Sequence, residues 1–122
     1  MAYTCPKPED FKGKVVDNGQ CVRFVQHAAK APNTGLWKKG QDIKKGLPGP
    51  PKGTAIATFT AGKYQNNPTG NHAAIYVSQD LVGIKVWDQW VGHAVAERII
   101  RFEHKQKHVS ASNDGNRFSV ID

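Results

Sequence analysis

The chain has 122 residues, of which 17 are Lys or Arg and 10 are Asp or Glu, so its formal net charge is +7. This length fits one domain that buries about two-thirds of its unfolded surface on folding. No stretch approaches the roughly 20 apolar residues of a membrane helix, and the content of aromatic (9%) and charged (22%) residues is not that of a disordered chain. We therefore expect one globular domain spanning residues 1–122, without membrane insertion.

The positive charge is concentrated in the first part of the chain. Residues 1–52 carry a net charge of +6, and residues 53–122 carry only +1. A positive surface attracts anionic polymers such as nucleic acid, acidic lipid or bacterial wall, although it also serves solubility. The N-terminal sequence has no apolar run of a secretory signal, so we expect a protein made in the cytoplasm that leaves by a route without a cleavable leader.

The first regular element is predicted to be a helix over Cys21–Lys30. Apolar residues recur there at the helical period, with Asn18 as its cap and Pro32 as its stop. Before it, residues 1–14 form an N-terminal extension. After it, the Pro/Gly-rich segment 31–53 is expected to be loop that borders a substrate groove, with at most a short helix over Leu36–Lys44.

From Thr54 onward the pattern changes to short β-branched and aromatic runs separated by Gly, Asn and Asp. One helix followed by about five strands indicates an α+β fold, in which the helix packs on an antiparallel sheet. Residues 103–116 are predicted to be a polar segment. The predicted strands are Thr54–Thr60, Ala73–Val77, Val82–Asp88, Glu97–Phe102 and Arg117–Ile121.

Cys21 is the candidate nucleophile. A thiol in the first turn of a helix has a lowered pKa, because the helix dipole and its free amides stabilise the thiolate. Two structural interpretations remain open at this point. Cys21 is a small core residue, or it forms a disulfide with Cys5.

His72 and Asp88 are the candidate partners of Cys21. A hairpin centred on Asp80 would pair His72 with Asp88, with Cβ atoms about 5 Å apart. A register shift of two residues keeps Asp88 on the face of His72, whereas a shift of one residue substitutes Gln89. Cys21, His72 and Asp88 are therefore predicted to act as a thiolate, a histidine base and a carboxylate that orients the imidazole. Amides at the helix start, with Gln89 or Gln20 in support, would form the oxyanion hole.

Several other residues are candidates for a groove or a metal site. Trp90 lies beyond a strand end, where it would line a groove, whereas His27 and His93 are expected on the surface. His104 and His108 have helical ligand spacing but no further Cys or carboxylate ligand, so no metal site is expected. The predicted groove residues are Trp37, Tyr64, Asn71 and Trp90, and specificity is expected to depend on residues 31–53 and 61–71.

Four segments together resemble one enzyme family. Gly19-Gln20-Cys21-Val22, Gly53–Phe59, Gly70-Asn71-His72 with the strand that follows, and Val86–Trp90 occur in the order seen in papain-like peptidoglycan amidohydrolases of the CHAP and NlpC type. Within that group the chain is most similar to the small type VI secretion amidase effectors. The similarity covers about residues 15–102.

The resemblance implies a cysteine amidase that cleaves an amide in murein peptide stems or cross-links. Cys21 and His72 match the catalytic positions of the family, and Asp88 is assigned as the variable third member, with no cofactor. The family further implies export, action in the periplasm of a target cell, and a cognate immunity protein. The bond cleaved, D-Glu to diaminopimelate or D-Ala to diaminopimelate, stays open.

Two alternatives remain beside the effector. A phage-type lysin would use the same chemistry and would also lack a signal peptide. A non-catalytic basic module would bind an anionic polymer through the positive first half. Nucleic acid is not expected as a partner, since the chain has no nucleic-acid motif and its aromatic residues are not interleaved with Lys and Arg.

Overall fold

The computed structural model describes residues 2–122. It contains one α-helix and six strands, which form a single antiparallel sheet in the order β1-β6-β2-β3-β4-β5. No helix within residues 2–122 is long and apolar enough to cross a membrane. The elements are α1 (Cys21–Ala29), β1 (Lys39–Asp42), β2 (Ala55–Thr58), β3 (Ala73–Gln79), β4 (Gly83–Trp90), β5 (His93–Arg101) and β6 (Phe118–Ile121).

Each face of the sheet covers its own apolar core. On one face α1 packs against β3 and β4, and Phe24 and Val25 of the helix are fully buried with Ile75 of β3. On the other face, Ile84 and Val86 of β4 pack with buried residues of the neighbouring strands and with chain segments outside the sheet. The alternation of side chains along β3 and β4 therefore decides which residues face the helix.

The α+β fold and the five predicted strands are all present, as β2 to β6. The helix ends at Ala29, one residue earlier than predicted, because Lys30 adopts a left-handed conformation with φ of 57°. The short helix predicted over Leu36–Lys44 is wrong. A 3-10 turn over Thr34–Leu36 leads instead into β1, a polar edge strand whose backbone pairs with β6.

The N-terminal residues belong to the packed structure. Cys5 is 2% exposed, and its backbone N–H donates to the carbonyl of Gly53 over 2.7 Å. Further on, Val95 of β5 exchanges backbone hydrogen bonds with Gly13 and Lys14. Both cysteines of the chain are free thiols, so Cys5 is a core residue rather than a disulfide partner of Cys21.

Gly53 makes a close backbone approach that a side chain would block. Its φ is +95°, and an added Cβ would overlap the carbonyl oxygen of Cys5. Gly62 also has a positive φ, +78°, but a Cβ there meets nothing within 4 Å. A side chain would therefore be strained at either position, but only at Gly53 would it also overlap a neighbouring atom.

Gly53→Ala is expected to lower the free energy of unfolding by about 2–5 kcal/mol, because strain and overpacking add. Gly62→Ala, the matched control, is expected to cost about 1 kcal/mol through strain alone. Urea denaturation of both variants measures the difference. Equal losses at the two positions would show that the close approach of Gly53 to Cys5 adds nothing to the cost of a side chain there.

Candidate active site

Cys21 is the first residue of α1 and lies half-buried at the wall of a cleft. The capping residue is Gln20, with extended backbone and no capping side chain, so the prediction that Asn18 caps the helix is wrong. The side chain of Asn18 instead accepts a hydrogen bond from the backbone N–H of Gln20 over 3.0 Å. The first amides of a helix have no intrahelical acceptor, and here they lie beside a thiol.

His72 and Asp88 meet inside the protein. His72 is 5% exposed and Asp88 is fully buried, and Nε2 of His72 lies 2.7 Å from Oδ2 of Asp88. The predicted pairing of His72 with Asp88 is wrong by two residues, since β3 and β4 pair Ile75 with Trp87 and Tyr76 with Val86. A shift of two leaves Asp88 on the face of His72, which is why the contact forms despite the shift.

Cys21 and His72 shift each other's pKa in opposite directions. Burial raises the pKa of Cys21, but the hydrogen bond and charge of His72, with smaller contributions from the Ala73 backbone and Tyr64, lower it below the ordinary thiol value. Burial lowers the pKa of His72, but the hydrogen bonds to Asp88 and Cys21 and the charges of both partners raise it to about 9. Each residue therefore stabilises the charged form of the other, the thiolate of Cys21 and the imidazolium of His72.

Tyr64 and Asn71 complete the surroundings of the sulfur. The Tyr64 hydroxyl lies 3.8 Å from Sγ of Cys21 and accepts a hydrogen bond from Nδ2 of Asn71 over 3.2 Å. Because the Tyr64 oxygen accepts a hydrogen bond from Asn71, the Tyr64 hydroxyl is free to donate its own hydrogen bond to Sγ of Cys21. Burial raises the pKa of Tyr64, and the charge of Cys21 adds to this effect, so Tyr64 stays a donor.

Arg98 is a site residue that the sequence did not reveal. Its Nε donates to Oδ2 of Asp88 over 2.6 Å, the same oxygen that contacts His72. Its guanidinium carbon lies 5.1 Å from the ring centre of Trp90, and Nη1 lies 3.4 Å from Oδ1 of Asn113. Arg98 lies opposite Val86 in the pairing of β4 with β5, which places it diagonally across from Asp88 on the same face.

Gln89 does not take the place of the third member beside His72. Its side chain is fully buried and bonds with the loop that enters α1, by accepting from the N–H of Val16 and donating to the carbonyls of Val16 and Gln20, each at 2.9 Å. Side chains alternate along β4, so Gln89 and Asp88 point to opposite faces. Gln89 thus fixes the start of the helix. Gln20 accepts one of these hydrogen bonds through its backbone carbonyl, and it also lines the cleft.

The cleft has a volume of about 930 Å³ and is lined by both polar and apolar groups. Its wall contains Trp90, Tyr64, the segment 66–72, and part of the polar segment at 110–113. Trp90 is 40% exposed and stacks on His93 with ring centres 4.0 Å apart. The structure thus places Tyr64, Asn71 and Trp90, three of the residues predicted to line a groove, at the cleft.

Two groove predictions disagree with the structure. Trp37 is 4% exposed, donates to the carbonyl of Pro32 over 2.8 Å and packs behind Tyr64, so it supports the wall from the core. No residue of the segment 31–53 lines the cleft. Its lysines Lys39, Lys44 and Lys45 border a separate depression of about 370 Å³ beside β1 and β6.

The remaining histidines make local contacts. His27 is exposed and lies 3.0 Å from Asp17, and Nε2 of His104 lies 3.7 Å from Asp114. Within residues 2–122 no three His, Cys, Asp or Glu side chains are grouped as a metal site would need. The cleft is lined by the Cys21 thiol at the start of α1 and by the His72 imidazole.

Comparisons with known proteins point to one family. Residues 1–121 match the family described as Domesticated amidase effector 2. The chain is 37% identical over 103 residues to the type VI secretion amidase effector 2 protein of Salmonella typhi, covering 84% of the chain and 77% of that protein. It is 36% identical over 127 residues to domesticated amidase effector 2 of Ixodes scapularis, covering 99% of the chain and 85% of that protein.

A solved structure agrees with the sequence comparisons. The chain superposes on a type 6 secretion amidase effector 2 (Tae2) with a TM-score of 0.80 and 30% identity, over 98% of this chain and 94% of the other. The predicted papain-like α+β fold and the resemblance to small type VI secretion amidase effectors are thereby confirmed. The chain belongs to the family described as Domesticated amidase effector 2.

Proposed function

We propose that this protein is a secreted antibacterial amidase that cleaves an amide bond in the peptides of bacterial peptidoglycan, with Cys21 as nucleophile. The observation that carries the proposal is the buried contact of His72 with Asp88, at 2.7 Å, beside a thiol whose pKa His72 lowers. Membership of an amidase effector family supplies the reaction class and the route of secretion.

The first half of the reaction forms a thioester. The Cys21 thiolate attacks the carbonyl carbon of the amide, and the carbonyl oxygen becomes an oxyanion. The backbone amides of Cys21 and Val22 open α1 and donate to that oxygen, as preorganised donors do in other acyl transfers. The His72 imidazolium gives its proton to the nitrogen of the breaking C–N bond, which leaves as an amine.

The second half returns the enzyme to its starting state. The now neutral His72 takes a proton from water, the resulting hydroxide attacks the thioester carbonyl, and the C–S bond breaks to release a carboxylic acid and the Cys21 thiolate. His72 keeps the proton and is again an imidazolium. Since Nε2 of His72 is engaged by Asp88, Nδ1 is the nitrogen that exchanges protons with sulfur, amine and water.

Asp88 and Arg98 act through His72 as positioning residues. Asp88 stabilises the imidazolium charge and holds the ring, and Arg98 holds the Asp88 carboxylate through its Nε. Among the described residues, His72 and Arg98 are the hydrogen-bond partners of the Asp88 carboxylate, and both contact Oδ2. Its other oxygen, Oδ1, is buried and has no partner among them. The orientation of His72 thus depends on one carboxylate oxygen.

The biological setting of the proposal follows the family. An effector that digests peptidoglycan would act in the periplasm of a target cell, and its producer would need an immunity protein that covers the cleft around Cys21. The effector is preferred to a phage-type lysin or a non-catalytic basic module, because the relatives are named amidase effectors. Affinity purification of the Cys21→Ala protein from its producer should recover such a partner, and repeated failure to do so would argue against an immunity protein.

Cys21→Ala and His72→Ala are each expected to lower peptidoglycan turnover by at least about 10³-fold while the protein still folds, because each removes a reacting group. His27→Ala is the matched control, since His27 is an exposed histidine of the same helix. Mass spectrometry of purified peptidoglycan after digestion measures the products and identifies the bond cut. Full product release by the Cys21→Ala protein would refute the assignment of the nucleophile.

The pH dependence of kcat/KM should be bell-shaped. Activity requires the thiolate, so it rises with pH through the lowered pKa of Cys21, and it requires the imidazolium, so it falls as pH passes about 9. The Asp88→Asn variant has no carboxylate at this position to stabilise the imidazolium. The descending limb should therefore move to lower pH, and the maximal rate should fall about 10- to 100-fold.

Glu97→Gln is the control for the pH experiment. Glu97 is an exposed carboxylate on β5 that lies 3.6 Å from Lys85, so its loss should leave both limbs unchanged. A descending limb that stays in place in Asp88→Asn would mean that Asp88 does not set the charge state of His72.

A further inference from the structure

The wall of the cleft is unevenly charged. Among its described lining residues, Arg98 is the one side chain that carries a permanent charge, and none is a carboxylate. Asp88, the nearest acid, is fully buried behind the wall. Arg98 is thus the fixed positive group on the wall of the cleft, and its Asp88 partner occupies only the Nε side of the guanidinium, which leaves the Nη edge for a ligand that carries a negative charge.

Arg98 has hydrogen-bond donors left for such a ligand. A guanidinium has five N–H donors. One, on Nε, goes to Asp88 at 2.6 Å, and one, on Nη1, makes a long contact of 3.4 Å with Asn113. The other three have no acceptor within residues 2–122. The side chain is 25% exposed, so these donors are shielded from bulk water without being closed off from the cleft.

The orientation of these donors is fixed by the protein. The bond from Nε to the buried Asp88 carboxylate sets the plane of the guanidinium, and the Trp90 ring lies 5.1 Å from its central carbon. A planar group held in this way presents its Nη edge as a fork that matches the two oxygens of a carboxylate. Trp90, Arg98 and Asn113 all line the cleft that contains Cys21.

We propose that Arg98 is the substrate-carboxylate receptor of this cleft, binding a free carboxylate of the peptide stem through its Nη edge. The inference rests on the proposed function, because it takes its ligand class from murein peptides, whose D-Glu, diaminopimelate and terminal D-Ala residues bear carboxylates. A carboxylate anchored at Arg98 would hold the substrate in the cleft that contains Cys21. The other basic cluster, Lys39, Lys44, Lys45 and Arg117, borders a different depression.

The experiment is a binding cycle in the Cys21→Ala protein, which does not consume its ligand. The probes are a cross-linked murein tetrapeptide dimer with free carboxylates and the same dimer with every carboxylate converted to a primary amide. Isothermal titration calorimetry gives both dissociation constants for Cys21→Ala, for Cys21→Ala with Arg98→Ala, and for Cys21→Ala with Arg101→Ala. Arg101 is the matched control, an exposed arginine on the same strand outside the cleft lining.

Amidation is expected to weaken binding to the Cys21→Ala protein by about tenfold or more, as for the loss of a charged hydrogen-bonded pair. With Arg98→Ala that difference should shrink to less than about threefold, and with Arg101→Ala it should persist. The inference is overturned if amidation has no effect at the outset, if the effect survives Arg98→Ala, or if neither peptide binds. Failure of the proposed function is separate, because it is read from turnover by the unmutated protein.

A direct measurement covers the case in which Arg98→Ala does not fold. In the Cys21→Ala protein, the side-chain N–H resonances of Arg98 should shift when the free-acid peptide is added and should not shift with the amidated peptide. Equal shifts with both peptides, or none with either, would exclude Arg98 as the carboxylate receptor.

Discussion

The site depends on one pair of residues, the half-buried Cys21 and the buried His72, each of which stabilises the charged form of the other. Taking two charges out of water is costly unless they are paired and hydrogen-bonded. Here the Asp88 carboxylate contacts Nε2 of the imidazolium, and Tyr64 and the backbone of Ala73 contact the sulfur. Each of these groups therefore stabilises the charged form of the pair, which is the form that the proposed reaction needs.

The fold serves this pair by bringing the start of a helix to the end of a sheet. Gln89 fastens the loop before α1 to β4 through three hydrogen bonds, and Asp88, the preceding residue on β4, reaches His72 on the other face. Adjacent residues of one strand thus position Cys21 and His72. A slip of β4 by one residue would exchange their faces and disrupt both contacts.

Much of this arrangement was predictable from the sequence, because it depends on short-range patterns. Helical periodicity placed Cys21 at the start of α1, and strand alternation placed Asp88 on the face of His72 even with the register wrong by two. What escaped prediction depends on long-range packing. Predicting Arg98 as a site residue would have required the register of β4 with β5. That register depends on the turn at Val91 and Gly92, which joins Trp90 to His93.

The wrong predictions have the same origin. Trp37 is an aromatic residue of the kind that often lines a groove, but its ring packs behind Tyr64 and its indole N–H donates to the carbonyl of Pro32. The segment 31–53 has the composition of a binding loop, but it contains a polar edge strand that pairs with β6, the last strand of the chain. Composition does not reveal which side of a sheet, or which distant strand, a segment will meet.

The central claim, that His72 holds Cys21 as a thiolate, is tested most directly by the rate of Cys21 alkylation with iodoacetamide as a function of pH. The rate should reach half of its maximum at a pH below the ordinary thiol value of 9.0, whereas buried Cys5 should stay unmodified in the folded protein. In His72→Ala the midpoint should rise, because burial then acts on Cys21 without an opposing charge. A midpoint for Cys21 at or above 9.0 that does not change in His72→Ala would contradict the claim.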